Sequence, residues 1–215
     1  MGQVYPPSED SFLLEKCILK FDLNGKSCLD LGCGSGILSI AMLRAGAREV
    51  VALDVDRDAV IETRKNVEAF IKENKSQYVG RFLGVFESDL FSALEESNGK
   101  INFQKIKGIG AKFSDLGFVG LKKFDFISFN PPYVPTGEIK WVDLDGGMDG
   151  CETIIRFIST VKNYLNDDGI VFLLISSLNK RNKIIKLIKK QGLRVSVLER
   201  LKFFFEELIV LRISH

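Results

Sequence analysis

The sequence predicts an α/β fold in which a mainly parallel sheet carries helices on both faces. Apolar, strand-like runs alternate with helical patterns along most of the 215-residue chain. A glycine-rich turn joins the first of these runs to a helix. The last third holds two apolar runs separated only by a short charged break, which predicts an antiparallel pair at the end of the sheet.

The individual elements follow from apolar periodicity and from boundary residues. The first helix is predicted to begin after Ser8, whose hydroxyl can cap it, while Glu9 and Asp10 favour its positive end. Its predicted apolar face comprises Phe12, Leu13, Cys17 and Ile18. Strands are predicted over 27–32, 49–55, 81–90, 124–130 and 169–177, and helices near 35–46, 57–74, 151–165 and 179–191. The final strand pair falls within 193–214.

Length and composition favour a single domain over residues 1–215, because a chain with 46% hydrophobic residues can build one core of this size. The segment at about 92–123 has scattered glycines and no clear period. A structureless loop of that length is unusual in a compact domain. We therefore expect an insertion there, which forms either a small flap with its own hairpin or a partly disordered segment.

Composition also argues against several classes of protein. The net charge of +2 is too small for tight, sequence-independent binding of nucleic acid. The four cysteines form no Cys-x-x-Cys pair and the single histidine is His215, so neither a Cys/His zinc site nor histidine catalysis is expected. The longest apolar stretch, 170–175, is too short to span a bilayer, and the N-terminus has no signal-peptide core. These features predict a cytoplasmic protein.

The turn after the first strand is a candidate ligand site. Gly32, Gly34 and Gly36 stand at alternate positions just before a helix, where backbone N–H groups can face a ligand. Ile37 occupies the position at which a dinucleotide-binding fingerprint requires glycine, which argues against a nicotinamide cofactor. The glycines alone fit a tight strand–helix turn equally well.

Three aspartates favour a nucleoside ligand over a simple turn. Asp30 lies two residues before the glycines, and Asp54 and Asp89 end the next two strands. Parallel strands end at the same edge of a sheet, and a carboxylate at the end of the second strand can accept hydrogen bonds from both ribose hydroxyls. Each aspartate taken singly could be a helix cap or a turn residue.

This arrangement resembles the class I S-adenosylmethionine-dependent methyltransferases over most of the chain. The resemblance implies a Rossmann-like sheet of seven strands, mainly parallel with an antiparallel last strand, which agrees with the pattern of the C-terminal third. It also implies S-adenosylmethionine as the cofactor and S-adenosylhomocysteine as the product. By this resemblance Asp30 and the three glycines hold the methionine part, Asp54 the ribose, and Asp89 with Leu90 the adenine.

The fourth predicted strand leads into Asn130, Pro131, Pro132 and Tyr133. An amide nitrogen is a poor nucleophile, and a substrate –NH₂ group needs orientation more than a base. The Asn130 side-chain oxygen and the Pro131 carbonyl can each accept one of its N–H groups, which directs the lone pair at the methyl donor. The prolines fix the backbone and the Tyr133 ring can pack on a planar substrate. Asn130 therefore belongs to both the catalytic and the cofactor-binding predictions.

The tetrapeptide also resembles the motif of methyltransferases that act on glutamine amides and on adenine N6. The stretches "VYPPSEDSFLLEKCI" and "DGGMDG" are similar to those of HemK-type glutamine methyltransferases, in the archaeal and eukaryotic branch that modifies class I peptide-release factors. By that similarity Ser11 lies over the methyl donor and the target is the glutamine of a Gly-Gly-Gln loop. Trp141, Gly146 and Gly147 are candidate substrate contacts, although they also fit a packed loop that leads to a helix.

The same branch is activated by a small zinc-binding protein that adds a strand at the third strand of the sheet. The third predicted strand should lie at a sheet edge with its backbone groups unpaired and with Phe82, Leu83, Val85 and Phe86 alongside. A competing expectation is that the insertion at 92–123 covers this edge.

Two alternatives to glutamine methylation stay open. Adenine N6 methylation of RNA or DNA would make use of the basic helix at 179–192, although that helix also fits a solvated face with Ile184, Ile185 and Leu187 buried. A non-enzymatic, methyl-donor-binding subunit of a complex is the second alternative. The intact tetrapeptide from Asn130 to Tyr133 argues against it, since a subunit without chemistry has no need of that geometry.

Overall fold

The computed structural model describes residues 4, 6–74, 81–94, 96–97, 100–101, 123–132 and 151–215. Its strands are β1 (Ser27–Leu31), β2 (Glu49–Asp54), β3 (Arg81–Glu87), β4 (Glu96–Ser97), β5 (Lys100–Ile101), β6 (Phe124–Phe129), β7 (Leu165–Ser176), β8 (Arg194–Lys202) and β9 (Glu207–Ser214). Seven of them form one sheet in the order β3-β2-β1-β6-β7-β9-β8. The five strands from β3 to β7 in this order are parallel to one another, and β9 runs antiparallel to both β7 and β8. The predicted fold class is confirmed.

Five helices cover the two faces of the sheet: α1 (Glu9–Ile18), α2 (Ile37–Arg44), α3 (Arg57–Glu73), α4 (Glu152–Thr160) and α5 (Arg181–Lys190). The first three helices share one apolar core with the sheet, and α4 and α5 share a second core on the opposite face. The central strand β1 is buried along its whole length, as expected for a parallel strand that is covered on both sides. None of the helices in this described part of the chain combines the length and apolarity needed to cross a bilayer.

The first helix begins where the sequence predicts, but two details differ. Ser8 stands at the cap position, yet its hydroxyl donates to a carboxylate oxygen of Asp10 at 2.8 Å instead of capping a backbone N–H. Phe12 is half exposed, whereas Leu14 is fully buried in its place. The buried positions 13, 14, 17 and 18 form one stripe of an α-helix, and Phe12 lies outside that stripe.

The third strand lies at the edge of the sheet, as predicted, and within the described residues it pairs only with β2. Its side chains differ from the prediction. Leu83, Val85 and Phe86 are buried against the two faces, and Phe82 is partly buried. Within the described residues, the edge therefore offers backbone N–H and C=O groups rather than a row of exposed apolar side chains.

The described part of the segment at 92–123 contains a short 3-10 helix at Ser92–Leu94 and the hairpin formed by β4 and β5. A hairpin is one of the two forms that the sequence allowed for this insertion. Residues 102–122 lie outside the described residues, so the relation of the insertion to the β3 edge stays a prediction.

Asp125 ties three strands together at the amino end of the sheet. Its carboxylate accepts hydrogen bonds from the Ser27 N–H at 2.8 Å and from the Asn166 side-chain amide at 2.8 Å. Burial alone would raise the pKa of Asp125, but these hydrogen bonds outweigh it and lower the pKa below its ordinary value. This carboxylate is ionised in the folded protein and stabilises the edge opposite to the candidate site.

Candidate active site

The glycine turn has a backbone conformation that only glycine adopts without strain. Gly32, Gly34 and Gly36 have φ angles of 66°, 50° and 82°. A Cβ atom on Gly36 would lie 3.1 Å from the Thr63 backbone, so α3 packs directly against the turn. A Cβ atom on Gly34 would meet nothing within 4 Å. The turn is thus closed towards α3 and open at Gly34, where a ligand can approach the backbone.

Two polar residues of α3 hold the turn in place. The Thr63 hydroxyl donates to the Gly34 carbonyl at 2.8 Å, and the Asn66 side-chain amide donates to the Ser35 carbonyl at 2.9 Å. These bonds fix the carbonyl groups of the turn, and the N–H groups of its three glycines are themselves bonded within the fold. The sequence analysis missed both residues, and their spacing of one helical turn on α3 is the only sequence signal that they offer.

Asp54 joins the end of β2 to the glycine turn. Its carboxylate accepts the Gly34 N–H at 2.8 Å and the Asp56 N–H at 2.9 Å, and it is buried. A carboxylate offers about four acceptor sites, so these two bonds fix its orientation and leave capacity for hydroxyl donors. The next residue, Val55, is an apolar side chain that is 53% exposed. Such a residue beside a carboxylate suits a nucleoside, and the sequence analysis did not single it out.

Asp30 is a fully buried carboxyl group with one oxygen in use. The Ser39 hydroxyl donates to Oδ2 at 2.6 Å, whereas Oδ1 has no hydrogen-bond partner among the described residues. Burial raises the pKa of Asp30 to about 7, and the negative charge of Asp54 adds a smaller increase. A buried acceptor of this kind is costly unless a donor or a cation completes it.

The end of β6 places Asn130 beside the glycine turn. A Cβ atom on Gly32 would lie 3.3 Å from the Phe129 ring and 3.5 Å from the Asn130 carbonyl oxygen. The Asn130 side-chain oxygen is buried and has no partner in the part of the chain that the structure describes. Pro131, which supplies the second predicted acceptor, is buried as well. Asn130 thus has a side-chain oxygen without a described partner, and its backbone lies next to the glycine turn.

The end of β3 is organised differently from the ends of β1, β2 and β6. Asp89 is exposed and forms an ion pair with Arg156 of α4 at 2.7 Å. Leu90 has a φ of 50°, which is uncommon for a residue with a side chain, and the Ser88 hydroxyl donates to its carbonyl at 2.7 Å. Strained residues of this kind concentrate at ligand sites. The ion pair was not predicted, and the adenine role of Asp89 and Leu90 stays a prediction.

Other predicted site residues are less constrained by the structure. Ser11 is buried in the first turn of α1, where its N–H donates to Asp10 Oδ1 at 2.6 Å. Its place over the methyl donor stays a prediction. Tyr133, Trp141, Gly146 and Gly147 lie outside the described residues.

Solved structures with the same topology identify the class of fold. The chain superposes on a chain of the E. cuniculi Mtq2–Trm112 complex with a TM-score of 0.66 and 23% identity, over 98% of this chain and 98% of that chain. That complex is responsible for methylation of the translation termination factor eRF1. It also superposes on a ribosomal protein L11 methylase from Lactobacillus delbrueckii, with a TM-score of 0.61 and 17% identity over 96% of this chain and 80% of the other. The sheet order, the glycine turn and these neighbours define a class I methyltransferase fold.

Sequence comparison gives the particular family. The chain is 36% identical to a putative protein N5-glutamine methyltransferase from Methanocaldococcus jannaschii, over 97% of this chain and 90% of that protein. The chain belongs to this family of protein N5-glutamine methyltransferases.

The N-terminal region that carries the glycine turn is also similar to a second family of methyltransferases. Residues 13–83 match the family model of ribosomal protein L11 methyltransferase (PrmA). The L11 methyltransferase of Mannheimia succiniciproducens is 51% identical over 47 residues, which cover 22% of this chain and 16% of that protein. The match to this family model is thus confined to residues 13–83, which include the glycine turn.

Family membership implies S-adenosylmethionine as the methyl donor, and a Thermus thermophilus rRNA methyltransferase of the same fold, at a TM-score of 0.59, was solved with this cofactor and guanosine. The residues present fit it. Asp30 Oδ1 lacks a partner among the described residues and suits the cationic amino group of the methionine part. The open side of Gly34 admits a ligand, and Asp54 with Val55 offers hydroxyl acceptors beside an apolar surface.

Proposed function

We propose that this protein uses S-adenosylmethionine to methylate the side-chain amide of the glutamine in a Gly-Gly-Gln segment of a class I peptide-release factor. The observation that carries the proposal is the buried Asn130 side-chain oxygen, which has no partner in the described structure and belongs to a residue whose backbone lies beside the glycine turn. Two comparisons support it: the family is that of glutamine methyltransferases, and the E. cuniculi complex with the same fold methylates a termination factor.

The geometry fits an amide substrate because Asn130 and Pro131 can each offer an acceptor oxygen. The Asn130 oxygen would accept one N–H of the substrate –NH₂ group and the Pro131 carbonyl would accept the other. Both bonds strengthen as the nitrogen loses its conjugation with the carbonyl and becomes more positive. Pro132 restricts the backbone that follows, so the second acceptor keeps its direction.

The cofactor supplies an electrophilic methyl group when bound. The chain's own residues hold that group in reach of the substrate: Asp30 and the glycine turn would bind the methionine part, and Asp54 would bind the ribose. The scheme uses no histidine side chain, which agrees with a sequence whose single histidine is His215. Loss of a proton from the methylated amide nitrogen needs no protein base in this scheme, because the cationic nitrogen is strongly acidic and releases its proton to water.

Transfer of a labelled methyl group tests the proposed substrate. We expect the wild-type chain to label a class I release factor and not the same factor with its Gly-Gly-Gln glutamine replaced by alanine. A glutamine side chain flanked by glycines can reach a narrow pocket. Label in RNA or DNA, or equal label in the two release factors, would show that the proposed substrate is wrong.

A partner at the β3 edge is a second part of the proposal. We infer that a small zinc-binding activator adds a strand there, because β3 pairs on one side only within the described residues. The E. cuniculi structure is a complex with Trm112, which supports a partner for this fold. Main-chain hydrogen bonds would supply the affinity, since the side chains of Leu83, Val85 and Phe86 are already buried.

Co-expression with such an activator, followed by size-exclusion chromatography, tests the partner. We expect the two chains to elute together and the isolated chain to aggregate more readily, because an open strand edge pairs with other chains. A monomer that is stable and fully active alone, with no co-elution, would mean that the insertion at 92–123 already covers the edge.

A further inference from the structure

The tip of the hairpin between β8 and β9 carries three consecutive aromatic side chains that face solvent. Phe203, Phe204 and Phe205 are 42%, 91% and 86% exposed. The rings of Phe204 and Phe205 pack edge to face with their centroids 4.5 Å apart. We call residues 203–205 the aromatic tip. Exposed apolar groups are common singly, but a contiguous aromatic cluster of this kind marks an interaction surface.

Hydrogen bonds close the hairpin below the aromatic tip and join it to the end of β7. The Phe203 N–H donates to the Glu206 carbonyl at 2.7 Å and closes the hairpin. The Ser176 hydroxyl donates to the Glu206 carboxylate at 2.6 Å. Ser177 and Glu207 exchange two further bonds, of 2.7 and 2.9 Å. The backbone that carries the tip is therefore fixed to the sheet, which reduces the conformational entropy lost on binding.

The aromatic tip lies at the same edge of the sheet as Asn130. β7 is parallel to β6 and ends at Ser176, which pairs with Leu208 at the start of β9. β8 is antiparallel to β9, so the turn between them projects from this carboxyl edge. The sheet order β6-β7-β9-β8 places the tip two to three strands from β6, roughly 10–14 Å to the side at the usual strand spacing. Phe129 pairs with Leu173, so the turn beyond Ser176 also lies about 10 Å further along the strands, and the total separation is roughly 15–20 Å.

That separation identifies the occupant. A standard protein interface buries about 800 Å² on each partner, which corresponds to a patch with a radius of roughly 16 Å. A folded protein whose footprint is about 32 Å across can therefore cover both Asn130 and the aromatic tip, whereas an extended peptide of three or four residues spans only about 10–14 Å and does not reach the tip. We propose that the aromatic tip is a docking surface for the folded protein substrate, at a site separate from the glutamine pocket. This inference rests on the proposed function.

The double variant Phe204→Ser, Phe205→Ser tests the docking surface. Large aromatic residues dominate binding energy at interfaces, so we expect KM for the whole release factor to rise about tenfold or more while kcat at saturation stays the same. For a short peptide that contains Gly-Gly-Gln, kcat/KM should not change. The melting temperature should not change either, because both rings are almost fully exposed. Phe204→Lys is an independent single variant, for which we also expect a higher KM for the whole release factor and an unchanged kcat/KM for the peptide.

Leu19→Ser is the matched control, since Leu19 is an exposed apolar residue outside the aromatic tip, at the C-terminal end of α1, and its KM should stay at the wild-type value. An unchanged KM in the tip variants, or an equal loss of kcat/KM on protein and peptide, would overturn the inference. A wild-type dimer that the tip variants convert to monomers without a change in KM would show a self-association surface instead. The inference would also be overturned if the wild type bound anionic phospholipid vesicles and the tip variants lost this binding while their KM stayed unchanged. Failure of the proposed function is distinct, because the wild-type chain would then methylate neither substrate.

Discussion

Replacing Asn130 by alanine is expected to lower the single-turnover rate of methyl transfer by about 100-fold or more while the affinity for S-adenosylmethionine changes by less than about threefold. The substitution removes the buried side-chain oxygen that has no partner among the described residues. That oxygen would orient the substrate amide in the transition state. The proposed cofactor contacts of Asp30, Asp54 and the glycine turn stay in place, so cofactor binding should persist.

The measurement combines rapid-quench single-turnover kinetics with calorimetry of cofactor binding. Ser128→Ala is a suitable control because Ser128 lies on β6, two residues before Asn130, and is fully buried. Its hydroxyl also lacks a partner in the described structure, so its removal tests the loss of a buried polar group alone. A near-normal rate in the Asn130 variant, or an equal loss in the Ser128 variant, would contradict the proposed mechanism.

The sequence predicted the sheet well because each buried strand reads as a mainly apolar run that is followed by a polar residue. The run from Phe124 to Phe129 followed by Asn130 is the clearest case. Several boundaries differ, since β3 ends at Glu87 and not at 90, and β7 begins at Leu165 and not near 169. The residues Asp167, Asp168 and Gly169 look like a turn, yet the strand passes through them because Leu165 pairs with Phe124 across an irregularity in the ladder.

The polar contacts of the site were beyond the sequence because they join residues that are far apart in the chain. Ser39 meets Asp30, Thr63 meets Gly34, and Arg156 meets Asp89 only through the packing of helices on the sheet. No periodic pattern encodes such pairs. The sequence therefore located the candidate residues at the strand ends, whereas the packing of α2, α3 and α4 determines which hydrogen bonds hold each of them in place.

The aromatic tip shows a different limit. A run of three phenylalanines between two strands reads as part of the core, and in the sequence it was counted within the final strand pair. The structure closes a hairpin at this point through the Phe203–Glu206 hydrogen bond, which turns the next two rings outward. Apolar composition alone does not distinguish a buried run from an exposed docking surface.

Asp30 is expected to reduce the stability of the protein without cofactor at neutral pH. Its folded-state pKa of about 7 lies above the ordinary value of 3.8. Between these pH values the folded protein retains a proton that the unfolded chain releases, so the stability contribution present at low pH is lost as pH rises from about 4 to about 7. Asn cannot ionise, and it keeps an oxygen that can accept the hydrogen bond from Ser39.

The free energy of unfolding of Asp30→Asn, relative to the wild type, should therefore rise by about 2–3 kcal/mol between pH 5 and pH 8, because two pH units of linked protonation correspond to that energy. Urea denaturation at the two pH values measures it. Asp125→Asn is the matched control at the opposite edge. The pKa of Asp125 is lowered, so its carboxylate stabilises the fold above the unfolded pKa, and its loss should make the protein less stable at both pH values.

Cofactor should reverse the advantage of the Asp30 variant. If the methionine amino group pairs with Asp30 Oδ1, wild-type protein gains more stability from added S-adenosylmethionine than the variant does, and the dissociation constant of the variant should rise about tenfold or more. Calorimetry at pH 8 measures this difference. The combination of a more stable fold and a weaker cofactor complex would identify a carboxylate retained for binding at the expense of stability. A stability difference that is the same at pH 5 and pH 8, together with unchanged cofactor affinity, would show that Asp30 has neither role.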